Sequence, residues 1–209
     1  KALIDELIVK LKGDEATIVD LLIQETGKTY DVASYDFNML VDCLGYYVED
    51  AEDLLAEALK VTKLQQGVVW GKDPRHFEGR TKMLETALQS IPEVTFLSTS
   101  TQRVFQHPRM LWKGHQTPAS WRNLLQESKF LIGLGDPLLG PSAIDAIAAG
   151  CVYINPTYGK PKKDRMNQHP YAAESIGSPY VCNYRLGDSA SLQQCIKQAL
   201  QADLKPRSL

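Results

Sequence analysis

A chain of 209 residues that is 44% hydrophobic has enough apolar material for one sizeable core or two small ones. Its formal charge of −2 supplies no basic field, which argues against nucleic acid or an anionic membrane surface as partner. No apolar run approaches the ~18 residues that span a bilayer, and the start at Lys1 shows neither an initiator methionine nor a signal-peptide pattern, so a processed or excerpted chain is expected.

The first 28 residues predict two amphipathic helices. Leu3, Ile4, Leu7, Ile8 and Leu11 form a stripe at helical spacing that Gly13 and Asp14 interrupt, and Ile18, Leu21 and Leu22 repeat it up to Gly27. From Cys43 onward the texture alternates. CLGYYVE (43–49) reads as a short β-rich run, AEDLLAEALKVTKLQQ (51–66) as a helix, and GVVWGK (67–72) as a compact apolar strand. A helical pattern at about 75–90 is followed by the strand EVTFLST (93–99) and a loop containing His107 and Pro108. A helix near 118–128, with Trp121, Leu124 and Leu125, leads to the strand KFLIGLG (129–135). After a loop rich in glycine and proline come a helix at about 141–150, the strand CVYIN (151–155), a long polar loop, the strand PYVCNY (179–184) and a last helix over 188–202.

Strands buried on both faces read as continuous apolar runs, and helices between them provide parallel crossovers. The expected architecture is an α/β, Rossmann-like doubly wound parallel sheet over 43–209, preceded by a helical segment over 1–42. Ligands of such sheets lie beyond the carboxyl ends of the strands. Four segments therefore become candidates: Gly71 to Arg75, Ser98 to Gln102, Gly133 to Ser142, and Asn155 to Tyr171.

The four cysteines, Cys43, Cys151, Cys182 and Cys195, match no CxxC zinc pattern and are expected to be mostly core thiols. Gly133 and Gly135 open a G-x-G, but Gly140 comes too late for the dinucleotide fingerprint, and no Walker pattern occurs. A sugar nucleotide accounts for more of the segment. Asp145, one turn into a helix of small residues, can accept hydrogen bonds from a ribose diol, and the helix start at Pro141 and Ser142 offers N–H donors to a pyrophosphate. The alternative is that Asp145 only complements the helix end.

The segment FLIGLGDPLLGPSAIDAIAAGCVYINP (130–156) resembles the donor-binding segment of glycosyltransferase family 18. CLGYYVE (43–49), VVWGK (68–72), NLLQESKF (123–130) and NQHPYAAESIGSPYV (167–181) match in the same order, so that the resemblance runs from about Leu44 to Leu200. It implies a GT-B enzyme of two Rossmann-like domains, of which this chain is the carboxyl-terminal half. That half would bind UDP-GlcNAc as donor substrate, with no metal and no further cofactor, and GlcNAc would pass with inversion to a mannose of an N-glycan. Acceptor and catalytic base would belong to a preceding domain missing from this chain. The implied location is the Golgi lumen, with an amino-terminal membrane anchor outside these residues and no membrane contact by this segment. In that oxidising setting Cys151 and Cys182, on strands that could be neighbours, are expected to pair.

The family carries a Glu six positions ahead of the helix acid, where this sequence has Leu139. Asp136 is the nearby candidate to substitute for it; otherwise donor geometry is shifted or activity weakened. Lys72 matches the family's Gly-Lys and is a candidate cation for the diphosphate, as are Lys160, Lys162, Lys163 and Arg165 in the polar loop. Ser98, Thr99 and Ser100 are candidates for uracil or phosphate, with Thr99 favoured. The remaining candidate donor contacts are Gly135, Gly140, Pro141, Ser142, Asp145 and His169, with weaker claims for Trp112 and His115. A non-catalytic module that kept the fold and lost the chemistry is the rival reading, and an epimerase or phosphorylase on the same scaffold is a third.

Overall fold

The computed structural model describes the backbone of residues 2–58 and 61–207. The chain forms two compact units, Lys1–Glu57 and Ala58–Leu209. The division falls later than the expected 42/43, because CLGYYVE is helical and not a strand. In the first unit α1 (Ala2–Gly13) and α2 (Glu15–Thr26) confirm the two amphipathic helices, and α3 (Tyr30–Ala58) runs on through 43–49. Ala33, Phe37 and Val41 are buried at a four-residue spacing along α3 and pack with Val19. That period continues into Leu44 and Gly45, where the aromatic and β-branched content had suggested a strand. The helix expected over 51–66 is α3's last part; 59–60 lie outside the described residues, and 61–64 are irregular.

The second unit is a doubly wound, Rossmann-like α/β sheet. Six parallel strands, β1 (Gln66–Val69), β2 (Thr95–Ser98), β3 (Met110–Trp112), β4 (Phe130–Ile132), β5 (Val152–Lys162) and β7 (Val181–Arg185), lie in the order β3-β2-β1-β4-β5-β7. The short β6 (Arg165–Asn167) runs antiparallel to the far part of β5. From β1 the chain proceeds outward to β2 and β3, then returns to β4 on the other side of β1. The reversal between β1 and β4 is where two loops diverge and leave a crevice.

Alternation along the strands sorts their side chains between two cores. Val69, Phe96, Ile132 and Ile154 pack under α4 (Thr81–Ser90) and α7 (Ser189–Gln201). Val68, Trp70, Leu97, Leu131 and Tyr153 pack under α5 (Pro118–Gln126) and α6 (Ser142–Ala148). With both faces covered, a strand needs apolar residues at every position, which is why these were legible as runs.

Three local expectations are corrected. The strand β3 lies in the segment with His107 and Pro108 that the sequence predicts as loop, and its Trp112 packs against Phe77 and Phe105. The long polar loop is largely the β5–β6 hairpin, closed by Lys163 and Asp164 at φ of 48° and 60°, the left-handed pair of a type I′ turn built here without glycine. Finally, Cys182 pairs with Cys195 of α7 and not with Cys151. The register sets Cys182 opposite Ile154, three residues beyond Cys151, so the two thiols point to opposite faces of the sheet. Cys151 is free and buried, its Sγ 3.1 Å from the carbonyls of Leu125 and Ser128, and burial raises its pKa.

The pairing has a direct test. Peptide mapping without reduction should yield Cys182 and Cys195 cross-linked, with Cys151 alkylated only after denaturation. Closing a loop of this size contributes about 3 kcal/mol in the chain-entropy account. Replacing both Cys182 and Cys195 by Ser should therefore lower unfolding free energy by about that amount, and a Cys151–Cys182 peptide would contradict the register.

Candidate functional site

The loop between β4 and α6 is held at its start by the buried Tyr184, whose hydroxyl donates to the Gly133 carbonyl at 2.8 Å, and further along by the amide of Gln168. Gln168 is 1% exposed; its Oε1 accepts the Gly135 N–H at 3.0 Å, and its Nε2 donates to the Pro137 carbonyl at 2.8 Å. Its own carbonyl accepts the Leu139 N–H at 3.1 Å. The loop then delivers Gly140 against the Trp70 ring so closely that a Cβ there would lie 2.2 Å from a ring carbon. Only glycine permits that approach. The helix α6 starts directly afterwards. Ala143, Ala146 and Ile147 face the sheet, and Asp145, between them in sequence, is left exposed.

A cleft of about 270 Å³ opens at this end of the sheet. Trp70 and Lys72 contribute from the end of β1, Thr99 and Thr101 from the end of β2, and Pro141, Ser142 and Asp145 from α6. The opposite wall is the segment from His115 to Pro118 with Trp121 of α5. Thr117 caps α5, its Oγ1 accepting the Ser120 N–H at 3.2 Å. Across the cleft edge Trp121 Nε1 donates to Asp145 Oδ2 at 3.0 Å. Two polar atoms of the lining residues at the strand ends, Trp70 Nε1 and Thr99 Oγ1, are buried and have no hydrogen-bond partner among the described residues. Leaving such a group unpaired costs about 1–3 kcal/mol; His76 Nδ1, outside the cleft lining, is also buried without a partner among the described residues.

The structure gathers Lys72, Thr99, Pro141, Ser142 and Asp145 at this cleft, as their loops implied. His115, one of the weaker candidates, also lines it, whereas Trp112 packs against Phe77 and Phe105. The remaining candidates are used elsewhere. The Gly135 N–H is taken by Gln168, and the Gly135 carbonyl accepts Tyr158 Oη at 3.0 Å and Lys162 Nζ at 3.2 Å. Asp136 is ion-paired with Lys162, which commits the carboxylate that was to replace the missing Glu. Gly140 supports the cleft from beneath through Trp70. Lys160 is exposed on the hairpin and, like Lys163 and Arg165, lies outside the cleft lining. Ser98 and Ser100 are buried in local turns, their hydroxyls accepting the N–H groups of Ser100 and Gln102.

His169 is buried beside Tyr153, and its Nδ1 accepts the Ala172 N–H at 3.1 Å. Burial lowers its pKa, so it is the neutral imidazole that holds the π-helical turn Ala172–Ile176. Trp70, Thr101, Gln116, Thr117 and Trp121 were not singled out from the sequence. Trp70 and Trp121 sit in apolar patterns that read as core, and the polar three carry no motif; Thr101 falls in the loop expected after β2, while Gln116 and Thr117 follow β3, which the sequence did not announce.

A family model described as glycosyltransferase family 18 matches residues 41–208. The human alpha-1,6-mannosylglycoprotein 6-beta-N-acetylglucosaminyltransferase A is 26% identical over 163 residues, covering 70% of this chain and 22% of its own length. The human B form of that enzyme is 25% identical over 181 residues, 78% of this chain and 23% of its own length. The Caenorhabditis elegans alpha-1,6-mannosylglycoprotein 6-beta-N-acetylglucosaminyltransferase is 34% identical over 99 residues, 40% of this chain and 14% of its own. The chain thus spans less than a quarter of the length of these relatives. Among solved structures, one assigned as a UDP-N-acetylglucosamine 2-epimerase from Listeria monocytogenes aligns with 74% of this chain and 43% of its own at a TM-score of 0.43 and 13% identity.

Two substitutions test the site's construction. Gln168→Leu removes the partners of the Gly135 N–H and the Pro137 carbonyl together, and should cost about 2–4 kcal/mol in chemical denaturation. Thr99→Val removes a hydroxyl that pairs with nothing in the free protein, and should leave stability unchanged or raise it by up to ~1 kcal/mol. A clear loss of stability in the valine variant would show that the hydroxyl has a structural partner.

Proposed function

Because the chain belongs to glycosyltransferase family 18, we propose that residues 58–209 form the donor half of a GT-B enzyme that takes N-acetylglucosamine from UDP-GlcNAc. The parent protein then transfers it, with inversion and without a metal, to a mannose of an N-glycan. The observation that carries this reading is the cleft beside the β1/β4 reversal, which has a cation, an exposed carboxylate and two unpaired polar atoms within one lining.

The chemistry assigns a task to each. In the transfer the acceptor hydroxyl attacks the anomeric carbon, the bond from that carbon to the β-phosphate oxygen breaks, and UDP departs with the electron pair. A base takes the hydroxyl proton, and that base belongs to the acceptor domain of the longer protein. Negative charge grows on the diphosphate as the bond breaks, so preorganised donors there lower the barrier most. Lys72 is the cation for this charge, and Thr99 and Trp70 hold donors in reserve beside it. Asp145 accepts from the ribose diol. The helix α6 is seven residues long, so the expected dipole contribution at Pro141 and Ser142 is secondary to these side chains. The Cys182–Cys195 bridge fits a protein of the oxidising secretory pathway, where N-glycans are built.

A nucleotide-binding module without transfer activity is the second reading, and Leu139 favours it. It is 45% exposed, held at φ 55° and has no polar side-chain atom for donor hydroxyls, while Asp136 is already paired with Lys162.

Calorimetric titration with UDP and UDP-GlcNAc decides whether the donor site exists: both should bind at sub-millimolar concentration, and failure of both at millimolar concentration would remove the reading. Asp145→Asn should weaken UDP by roughly ten- to a hundredfold, the value of hydrogen bonds to a charged acceptor. If both nucleotides bind but the full-length protein releases no UDP in the presence of an N-glycan acceptor, the module reading replaces the enzyme.

A further inference from the structure

An exposed carboxylate at a cleft edge has several rotamers open to it, and most of them aim away from a ligand. Asp145 does not have that freedom. Its Oδ2 accepts the indole N–H of Trp121 at 3.0 Å, a bond that joins α5 to α6 across 24 residues of sequence. Trp121 is itself fixed: α5 is capped by Thr117, and Leu124 and Leu125, one turn further on, are buried in the core. Both Trp121 and Asp145 line the cleft. A carboxylate offers about four lone-pair sites, so the indole occupies one oxygen and leaves Oδ1 free for another donor.

We propose that Trp121 is a positioning residue for nucleotide binding, its indole N–H holding the Asp145 carboxylate with Oδ1 turned to the ribose hydroxyls. The role rests on the assignment of Asp145 to the ribose. Because the bond lies at the exposed edge of the cleft, its loss affects the fold little. What it supplies is a preset direction for the carboxylate, so that the entropy of ordering Asp145 is lost on folding and not again on binding. The pair also makes the two walls of the cleft a single recognition unit, with α5 contributing through α6.

The test is a double-mutant cycle on the whole chain, read by titration with UDP and with 2′,3′-dideoxy-UDP. Trp121→Phe keeps most of the ring and removes the N–H; it should weaken UDP by about five- to tenfold, the size of one hydrogen bond. The same change should leave dideoxy-UDP affinity unaltered and should add no further loss in an Asp145→Ala background, where no side-chain acceptor for the indole remains. Trp121→Gln, which returns an N–H donor without the ring, should recover most of the UDP affinity. Equal losses for both ligands, or a full loss persisting in the Asp145→Ala background, would mean that the ring packs on the nucleotide and would overturn the positioning role. Unchanged UDP affinity in Trp121→Phe would overturn it as well. Failure of the wild-type chain to bind UDP at all is a different result, which removes the donor site and the positioning role with it.

Discussion

The amide of Gln168 is the constraint from which the rest of the site follows. Backbone polar groups in a buried loop need partners, and the loop after β4 finds its partners in a side chain that arrives from beyond the β5–β6 hairpin. The hairpin is thereby tied to the loop, and the loop to the position where α6 begins. From there the contact of Gly140 with Trp70 sets how deep the floor of the cleft lies. Asn155 repeats the device one strand away. Its Nδ2 donates to Asn167 and Asn183 at 3.2 and 3.0 Å, and its Oδ1 accepts the His169 N–H at 3.1 Å. A satisfied amide network of this kind specifies one arrangement, since every alternative leaves a buried group unpaired.

This division of labour reverses the first impression given by the sequence. The segment around Asn167, Gln168 and His169 has the polar, proline-marked look of a site, yet its side chains are turned inward to hold backbone. The cleft itself is walled partly by tryptophans from patterns that look like core. A buried amide and a binding amide are the same letters in a sequence; what separates them is whether the loop they serve is already short of partners. Lys63 shows the same logic at the other end of the sheet. Its Nζ donates to the carbonyls of Leu125, Gln126 and Ser128 at 3.3, 3.2 and 2.7 Å, which closes the end of α5 while burial lowers its pKa.

The parallel sheet was legible because strands covered on both faces must be apolar throughout, as in GVV and FLI, and because glycine and proline punctuate the helices between them. Two of the cleft-lining residues, Lys72 and Asp145, were legible as candidates, the first as the end of an apolar strand and the second as an acid one turn into a helix of small residues. What was hidden depended on long-range register. Whether Cys182 meets Cys151 or Cys195 is decided by a shift of a few residues between β5 and β7 and by which face α7 covers. CLGYYVE was misread because short aromatic runs suit either element, and the decisive period came from residues upstream, Ala33 to Val41. The hairpin escaped because Lys163 and Asp164 take left-handed backbone without the glycine that announces such turns.

In the proposed reading the nucleotide lies in the cleft lined by Lys72, Thr99, Trp121 and Asp145, and not on the basic hairpin. Backbone and indole NMR chemical shifts recorded during addition of UDP locate the ligand directly. The largest perturbations should fall at the indole N–H signals of Trp70 and Trp121 and at the amides of Lys72, Thr99 and Asp145. Perturbations confined to the hairpin from Lys160 to Arg165, with both indole signals unmoved, would contradict this reading.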